Sequence, residues 1–387
     1  AITGQGAING SGQVWRPLKK EKVTEAYWKN VIASGGALKN PKYWLPSQKA
    51  VEAELMSPDQ RNALTEAEWE DFKDVLRPVM VSFVECKNIF LQGVLFENSP
   101  SWNIHPLMCE NIVIDDVFIR NPSFAQNGDG LDLESCKNVL VVNSTLDVGD
   151  DAICIKSGRN EEGRRRGIPT ENVIVDNCLV FKGHGGFVVG SEMSGGVKNI
   201  AVSNCNFIGT DVGLRFKSTR GRGGVVENIY IRNISMIDMV TEALRFNLFY
   251  GGKSASEALA DGDAAPAEEV IPPVSEETPV FRNIFIRDVY SHNSRRAMLF
   301  NGLPEMNIEN IQIENAVFTS QIGAELTEST QIKFKNVGIY PREGPALILY
   351  NVKNLEAENI QIPEGMKNPV RISGQRNQDI KLPDNLD

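Results

Sequence analysis

The chain has 387 residues and a formal net charge of −10, from 40 basic and 50 acidic side chains. That balance disfavours a nucleic-acid partner, because phosphate binding wants a basic face. No run of about 18 apolar residues occurs, so neither a transmembrane helix nor a membrane partner is expected.

In chain order, residues 1–10 read as a strand and turn inside a repeating unit. A repeat array needs a cap at its end, and none precedes this segment. An N-terminal part is therefore expected before Ala1, with any export signal in it. Residues 16–78 are rich in Lys, Glu and Trp. Helices are predicted around 23–33 and 65–76, the second opened by a capping box from Thr65 to Glu68 and closed before Pro78.

From about residue 79 a phrase recurs: a polar residue, an Asn, then alternating aliphatics. Its Asn residues are Asn88, Asn111, Asn138, Asn172, Asn199, Asn228, Asn283, Asn310, Asn336 and Asn354, and successive differences are 23, 27, 34, 27, 29, 55, 27, 26 and 18. The 55 is two repeats with an insertion, and residues 251–279, rich in Ala, Glu, Gly and Pro, read as its long loop. Fixed periods of roughly 20–50 residues mark solenoids, propellers or arrays. Each unit holds short Val, Ile and Phe runs of period two broken by Gly, Asn, Asp and Ser, with no helical period between them. The all-β fold predicted is a parallel β-helix, one coil per repeat, forming one elongated domain with insertions at 16–78 and 251–279. The recurring Asn side chains are expected to turn inward and bond the backbone of adjacent coils.

Cys86, Cys109, Cys136, Cys178 and Cys205 follow the coil period, and Cys154 is the sixth. Small side chains stacked in the core are expected, with one or two disulfides between coils as the alternative. No Cys-x-x-Cys pair exists and only three His are present, which disfavours zinc.

Four short phrases carry chemistry: Asn127-Gly128-Asp129, Asp150-Asp151, Gly183-His184-Gly185 and Arg215-Phe216-Lys217. Their gaps are one or two coils, so the side chains stack on one face. Clustered carboxylates cannot all ionise easily; one pKa rises and that group becomes a proton donor, while the others activate water. His184 lies between glycines that allow close approach of a substrate, and it can hold a catalytic Asp in place. His105 and His292 read as structural. Arg215 and Lys217 alternate on a strand, so both face one way and suit a substrate carboxylate. Lys156, Arg159, Arg164, Arg165, Arg166, Lys182, Arg220 and Arg222 concentrate positive charge near the acids despite the net −10.

These four phrases, in this order, resemble glycoside hydrolase family 28, the polygalacturonases, whose motifs are Asn-Thr-Asp, Asp-Asp, Gly-His-Gly and Arg-Ile-Lys. The resemblance implies a right-handed, pectin-lyase-like β-helix and inverting hydrolysis of α-1,4 galacturonosyl bonds. It implies Asp150 as general acid, Asp129 and Asp151 positioning and deprotonating water, His184 supporting the acid, and Arg215 and Lys217 holding the sugar carboxylate. Asn127 and Gly185 within the motifs, and Arg159 and Arg166 just after the Asp pair, are expected to contact substrate. The stretch from Ser157 to Asn160 and the basic residues after it look similar to exo-acting bacterial members, so release of single galacturonic acid units is expected. No metal or cofactor is expected; a monomer, secreted or periplasmic, is. Two positions depart from the pattern: Gly128 replaces Thr, and Phe216 replaces Ile. A rhamnogalacturonan-directed hydrolase, a pectate lyase with bound Ca²⁺ and a non-catalytic carbohydrate-binding β-helix are the rival readings.

Overall fold

The computed structural model describes residues 1–251 and 271–386. The predicted loop at 251–279 thus lies largely outside the described residues. The described strands stack in parallel to form three columns of a β-helix. The first column runs Ile104–Leu107, Leu131–Glu134, Asp151–Lys156, Gly185–Gly190, Val212–Lys217 and Glu242–Asn247. The second begins with Lys87–Gln92, Glu110–Asp115, Lys137–Val142 and Thr170–Asp176, and the third with Leu95–Glu97, Phe118–Arg120 and Thr145–Val148. Register is kept rung after rung: Ile112 lies opposite both Ile89 and Val139.

Period-two alternation explains the core. Phe187, Phe216, Phe246 and Phe300 point inward from the first column and are fully buried. Phe216 and Phe246 stack with centroids 4.5 Å apart. Each such ring contributes roughly 1.5–3 kcal/mol by burial, so Phe in place of Ile at 216 extends an aromatic stack rather than altering the outward face.

The Asn residues behave differently from expectation. Asn88, Asn111, Asn138, Asn172, Asn199 and Asn228 are at positive φ, a conformation Asn tolerates at corners. Their side chains turn outward and bond one another, not the backbone: Asn111 donates to Asn88, Asn138 to Asn111 and Asn172 to Asn138. Asn336 belongs to a second such column, between Asn315 and Asn359. Gln331, also at positive φ, lies with Asn310 and Asn354 instead, which explains the irregular last two spacings. All six cysteines are free thiols, and all but Cys86 are buried.

The segment 16–78 folds as a small unit beside the first coils. Helix α1 (Glu25–Ala33) is capped by Thr24, and α4 (Glu66–Trp69) opens with the predicted capping box and continues as a 3₁₀ turn to Val75. Two further helices, α2 (Gln48–Leu55) and α3 (Pro58–Asn62), and a three-stranded antiparallel sheet were not legible in the sequence. They are too short to carry a clear period. Leu18, Trp28 and Trp44 form the unit's core, and Phe124 from the β-helix packs against it. Residues 160–166, within the basic stretch after the Asp pair, form α5 (Asn160–Arg166), with Glu161 and Glu162 in its first turn and three Arg in its last. That placement complements the helix dipole.

Candidate active site

The outward face of the first column carries the predicted residues. The rung register continues from Asp151 to Gly185 to Val212. Gly130, beside Asp129, donates its N–H to the Asp151 carbonyl at 2.9 Å. Asp129 and Asp151 therefore sit on adjacent rungs, and one oxygen from each of Asp129, Asp150 and Asp151 lies within 4.8 Å of the others. Arg215 and Lys217 alternate with the inward Phe216, so both reach the same carboxylate. Lys217 Nζ lies 2.7 Å and Arg215 Nη1 3.2 Å from the two oxygens of Asp151.

Local backbone fixes these positions. A Cβ on Gly128 would lie 2.6 Å from the Ala125 Cβ, so no Thr fits in this turn. Gly183 has φ +84, and a Cβ there would lie 2.5 Å from the Asp150 carbonyl. Its bareness lets His184 donate its backbone N–H to that carbonyl at 2.9 Å. Gly185 is buried, with its missing Cβ 3.5 Å from the Arg215 chain. The flanking glycines thus serve approach to protein groups.

The three carboxylates occupy three electrostatic settings. Asp151 is 1 % exposed. Burial alone would raise its pKa, yet Lys217 and Arg215 hold it well below the ordinary carboxylate range. Asp129 is also buried, and burial, with Asp132 and Asp150 adding like charge, pushes its pKa well up. Its Oδ1 has no hydrogen-bond partner. Asp150 is more open. Its Oδ2 accepts from the Asn127 N–H at 3.1 Å, and its Oδ1 accepts from the Asp151 N–H at 3.1 Å and faces His184 Nδ1 at 2.9 Å. The hydrogen bond to Asp150 raises the His184 pKa against the effect of burial. The raised carboxyl is therefore Asp129.

Asn127, at positive φ, contributes its backbone to Asp150, while its side chain accepts from Arg77 Nη2 at 2.7 Å. Arg77 comes from the 16–78 unit and also donates to the Gln126 carbonyl at 2.6 Å. Arg166 is committed elsewhere, 3.1 Å from Glu134 and 2.5 Å from Glu162. Arg164 donates to the Gly221 carbonyl and pairs with Glu277. Arg159 and Arg165 are exposed.

Sequence reasoning missed a second buried layer. Asp132 is fully buried and 3.4 Å from Lys156 Nζ, and neither of its oxygens has a hydrogen bond. Burial pushes its pKa up to about 7 against the pull of Lys156. Lys156 also pairs with Glu192 at 3.2 Å and lies 4.4 Å from the Trp102 ring centre. The signal was present: Leu131-Asp132-Leu133 alternates in step with Leu214-Arg215-Phe216. Tyr250 is a further addition, its ring centre 5.1 Å from Lys217 Nζ. Of the remaining His, His105 is held by Glu134 at 2.9 Å.

The acid trio has the spacing of a cation site. Both oxygens of Asp151 are already held by cations, however, which leaves only Asp129 and Asp150 with lone pairs to offer.

The sequence model of glycosyl hydrolases family 28 matches residues 66–254, the segment that contains every motif above. The family 28 match extends to named relatives. A probable polygalacturonase of Vitis vinifera is 29% identical over 240 residues, 62% of this chain and 46% of the relative. An exo-poly-alpha-D-galacturonosidase of Dickeya chrysanthemi is 27% identical over 260 residues, 66% of this chain and 40% of the relative. Among solved structures, a hyperthermoactive exopolygalacturonase from Thermotoga maritima superposes with a TM-score of 0.63 at 33% identity, covering 76% of this chain and 62% of that one. The chain spans less than half the length of the two curated relatives.

Proposed function

We propose that this chain hydrolyses α-1,4 galacturonosyl bonds of pectic poly- or oligosaccharides, with inversion, releasing galacturonic acid from a chain end. The observation that carries the reading is Asp151 locked between Lys217 and Arg215 beside two less constrained carboxylates. Two cations and one anion leave a local charge of 2 − 1 = +1, which suits a uronate carboxylate.

The same contacts divide the labour. Asp150 is the most open of the three acids and meets the glycosidic oxygen as general acid. His184, 2.9 Å away, orients it and can restore its proton. Asp129 has a free oxygen and an elevated proton affinity, so once ionised it is the base that takes a proton from water. Asp151 is too strongly neutralised for that step; it fixes the two cations and, through them, the sugar. Asn127 and Arg77 hold the Asp150 loop, and Tyr250 covers the cation pair.

Exo action is supported by the folded 16–78 unit at one border of this face. At another border, Glu277 of the second insertion accepts from Gly221 and Gly223. Names of relatives at 27% and 33% identity point the same way. Arg159 remains a candidate grip for a terminal uronate; Arg166 acts on substrate only through Glu134. Among the described residues no helix is long and apolar enough to cross a membrane. We place the protein, as a monomer, in the secretory or periplasmic space where pectin fragments are met. A time course on polygalacturonate tests the reading. Monomer as the sole early product, with slow viscosity loss, is expected; early mixed oligomers overturn exo action, and an unsaturated product overturns hydrolysis.

A further inference from the structure

The second column of strands, one corner away from the catalytic face, carries a groove of about 570 Å³ on its outer surface. The register places Ala201, Tyr230 and Phe285 on successive rungs, all facing outward. Tyr230 is 52% and Ile174 48% exposed, large apolar groups that a lone soluble face would ordinarily cover. Tyr230 and Phe285 stack at 5.3 Å with an interplanar angle of 14°. On the other side of Tyr230 stands only the methyl of Ala201, and then Ile174. Ile174 and Tyr230 are thus two rungs apart, roughly 9–10 Å, with a floor of one methyl. That slot admits one six-membered ring against the free face of the tyrosine.

Cations outnumber acids beside the slot. Arg232 and Arg287 occupy the same two rungs as Tyr230 and Phe285, two residues further along each strand. Like charges directly opposite across a strand pair are destabilising. Arg287 has only its neighbour Asp288, at 3.9 Å, and Arg232 makes no ion pair among the described residues. Lys333 and Lys335 complete the border, Lys333 3.9 Å from Glu356 and Lys335 4.0 Å from Glu314; with Asp288, four cations face three acids, 4 − 3 = +1 on a chain of net −10. Nothing in the catalytic reading uses these residues.

We infer that this groove is a second, non-catalytic binding site for an anionic sugar chain, with a pyranose ring stacked on Tyr230 and ring carboxylates bridging Arg232 and Arg287. The identity of the uronate as galacturonate rests on the function proposed above; the groove's preference for a charged sugar does not. It would hold the polymer on the enzyme while the chain end is cleaved on the neighbouring face.

The test is calorimetric titration of tetragalacturonate into the Asp150→Asn protein, which binds without turnover. Two sites per chain are expected. Adding Arg232→Gln with Arg287→Gln should remove one site, and Tyr230→Ala alone should weaken that site about tenfold. Adding Arg215→Ala instead should weaken the other. Because the groove side chains point outward and the two arginines repel each other, melting temperatures should be no lower than the parent's. In the otherwise wild-type enzyme, the Arg232→Gln, Arg287→Gln pair should leave trigalacturonate hydrolysis unchanged and lower retention on immobilised polygalacturonate about tenfold. A single site in the Asp150→Asn protein that only Arg215→Ala weakens overturns the inference, as does equal binding of the methyl-esterified tetramer at the groove. If instead the groove binds galacturonate but the wild-type enzyme hydrolyses none, the catalytic reading fails and this one stands.

Discussion

Replacing each member of the Asp150-Asp151 pair by Asn should have different consequences, and the contrast tests the division of labour directly. Asp151 is 1 % exposed and closes two charge-assisted bonds, 2.7 Å to Lys217 and 3.2 Å to Arg215, both cations being largely buried. An Asn there keeps one acceptor oxygen and turns an N–H₂ toward the other cation. Two buried positive charges then share one neutral partner. Breaking a buried pair by removing one charge costs about 3–5 kcal/mol. For a chain of this size that corresponds to roughly 6–10 °C in Tm, taking about 2 °C per kcal/mol. Asp150 is held by two backbone N–H groups and His184 near the surface. Asp150→Asn exchanges one accepting oxygen for a donor facing the Asn127 N–H, a cost of about 1–2 kcal/mol. Its turnover should nevertheless fall about 10²–10⁴-fold, because the positioned acid is gone.

The assay is a pair of melting curves with kcat on a galacturonate trimer for each variant. Asp151→Asn should lose both stability and activity, and Asp150→Asn mainly activity. A Tm for Asp151→Asn within 1–2 °C of wild type, about 1 kcal/mol or less, would refute the claim that Asp151 is the structural counter-ion of the cation pair.

Other outcomes follow from the same contacts. Lys217→Ala should raise KM for galacturonate oligomers far more than for methyl-esterified ones, since a charge-assisted bond of roughly 1.5–3 kcal/mol disappears only where the sugar is charged; steady-state kinetics on both substrates checks this. The His184 pKa is raised in the folded protein, so its contribution to stability is complete below its unfolded pKa and lost as pH rises through the folded one. The Tm difference between wild type and His184→Gln should therefore shrink toward alkaline pH. Asp132 titrates in the same sense: its folded pKa of about 7 likewise lies above that of a free carboxyl. Stability should fall, by up to about 1.4 kcal/mol per pH unit between roughly pH 4 and 7. Asp132→Asn should flatten that slope in denaturant titrations; an unchanged slope would contradict the assignment. Hydrolysis products followed by NMR should show the β-anomer first if water attacks opposite the leaving group.

Much of this architecture could be read before any coordinates. Strand placement followed from the Asn phrase because every rung repeats the same corner, and a corner at positive φ admits few residues; the 55-residue gap, read as two repeats, is a single rung with an insertion, since Ile229 lies opposite Ile284. The catalytic face followed because period-two alternation forces Arg215 and Lys217 outward whenever Phe216 is inward. What the repeat could not convey is which partner each outward side chain takes. The basic stretch after the Asp pair had the composition of a substrate grip, yet Arg164 and Arg166 are consumed by Glu277 of an insertion, Glu134 of another coil and Glu162 of their own helix. Arg77 was invisible for the same reason, since it enters from a segment outside the repeat. The distribution of protons among the acids was hidden most deeply. Three aspartates in a row of coils look alike in sequence; only burial and the identity of the nearest cation separate them. Asp151 lies against two cations and is held ionised. Asp129 lies beside Asp132 and Asp150, lacks a partner at Oδ1, and holds its proton more tightly. Asp132 met the same alternation rule as Arg215 and was passed over because no motif named it. Its burial beside Lys156 links the layer beneath the site to the basicity of the carboxylate that must activate water.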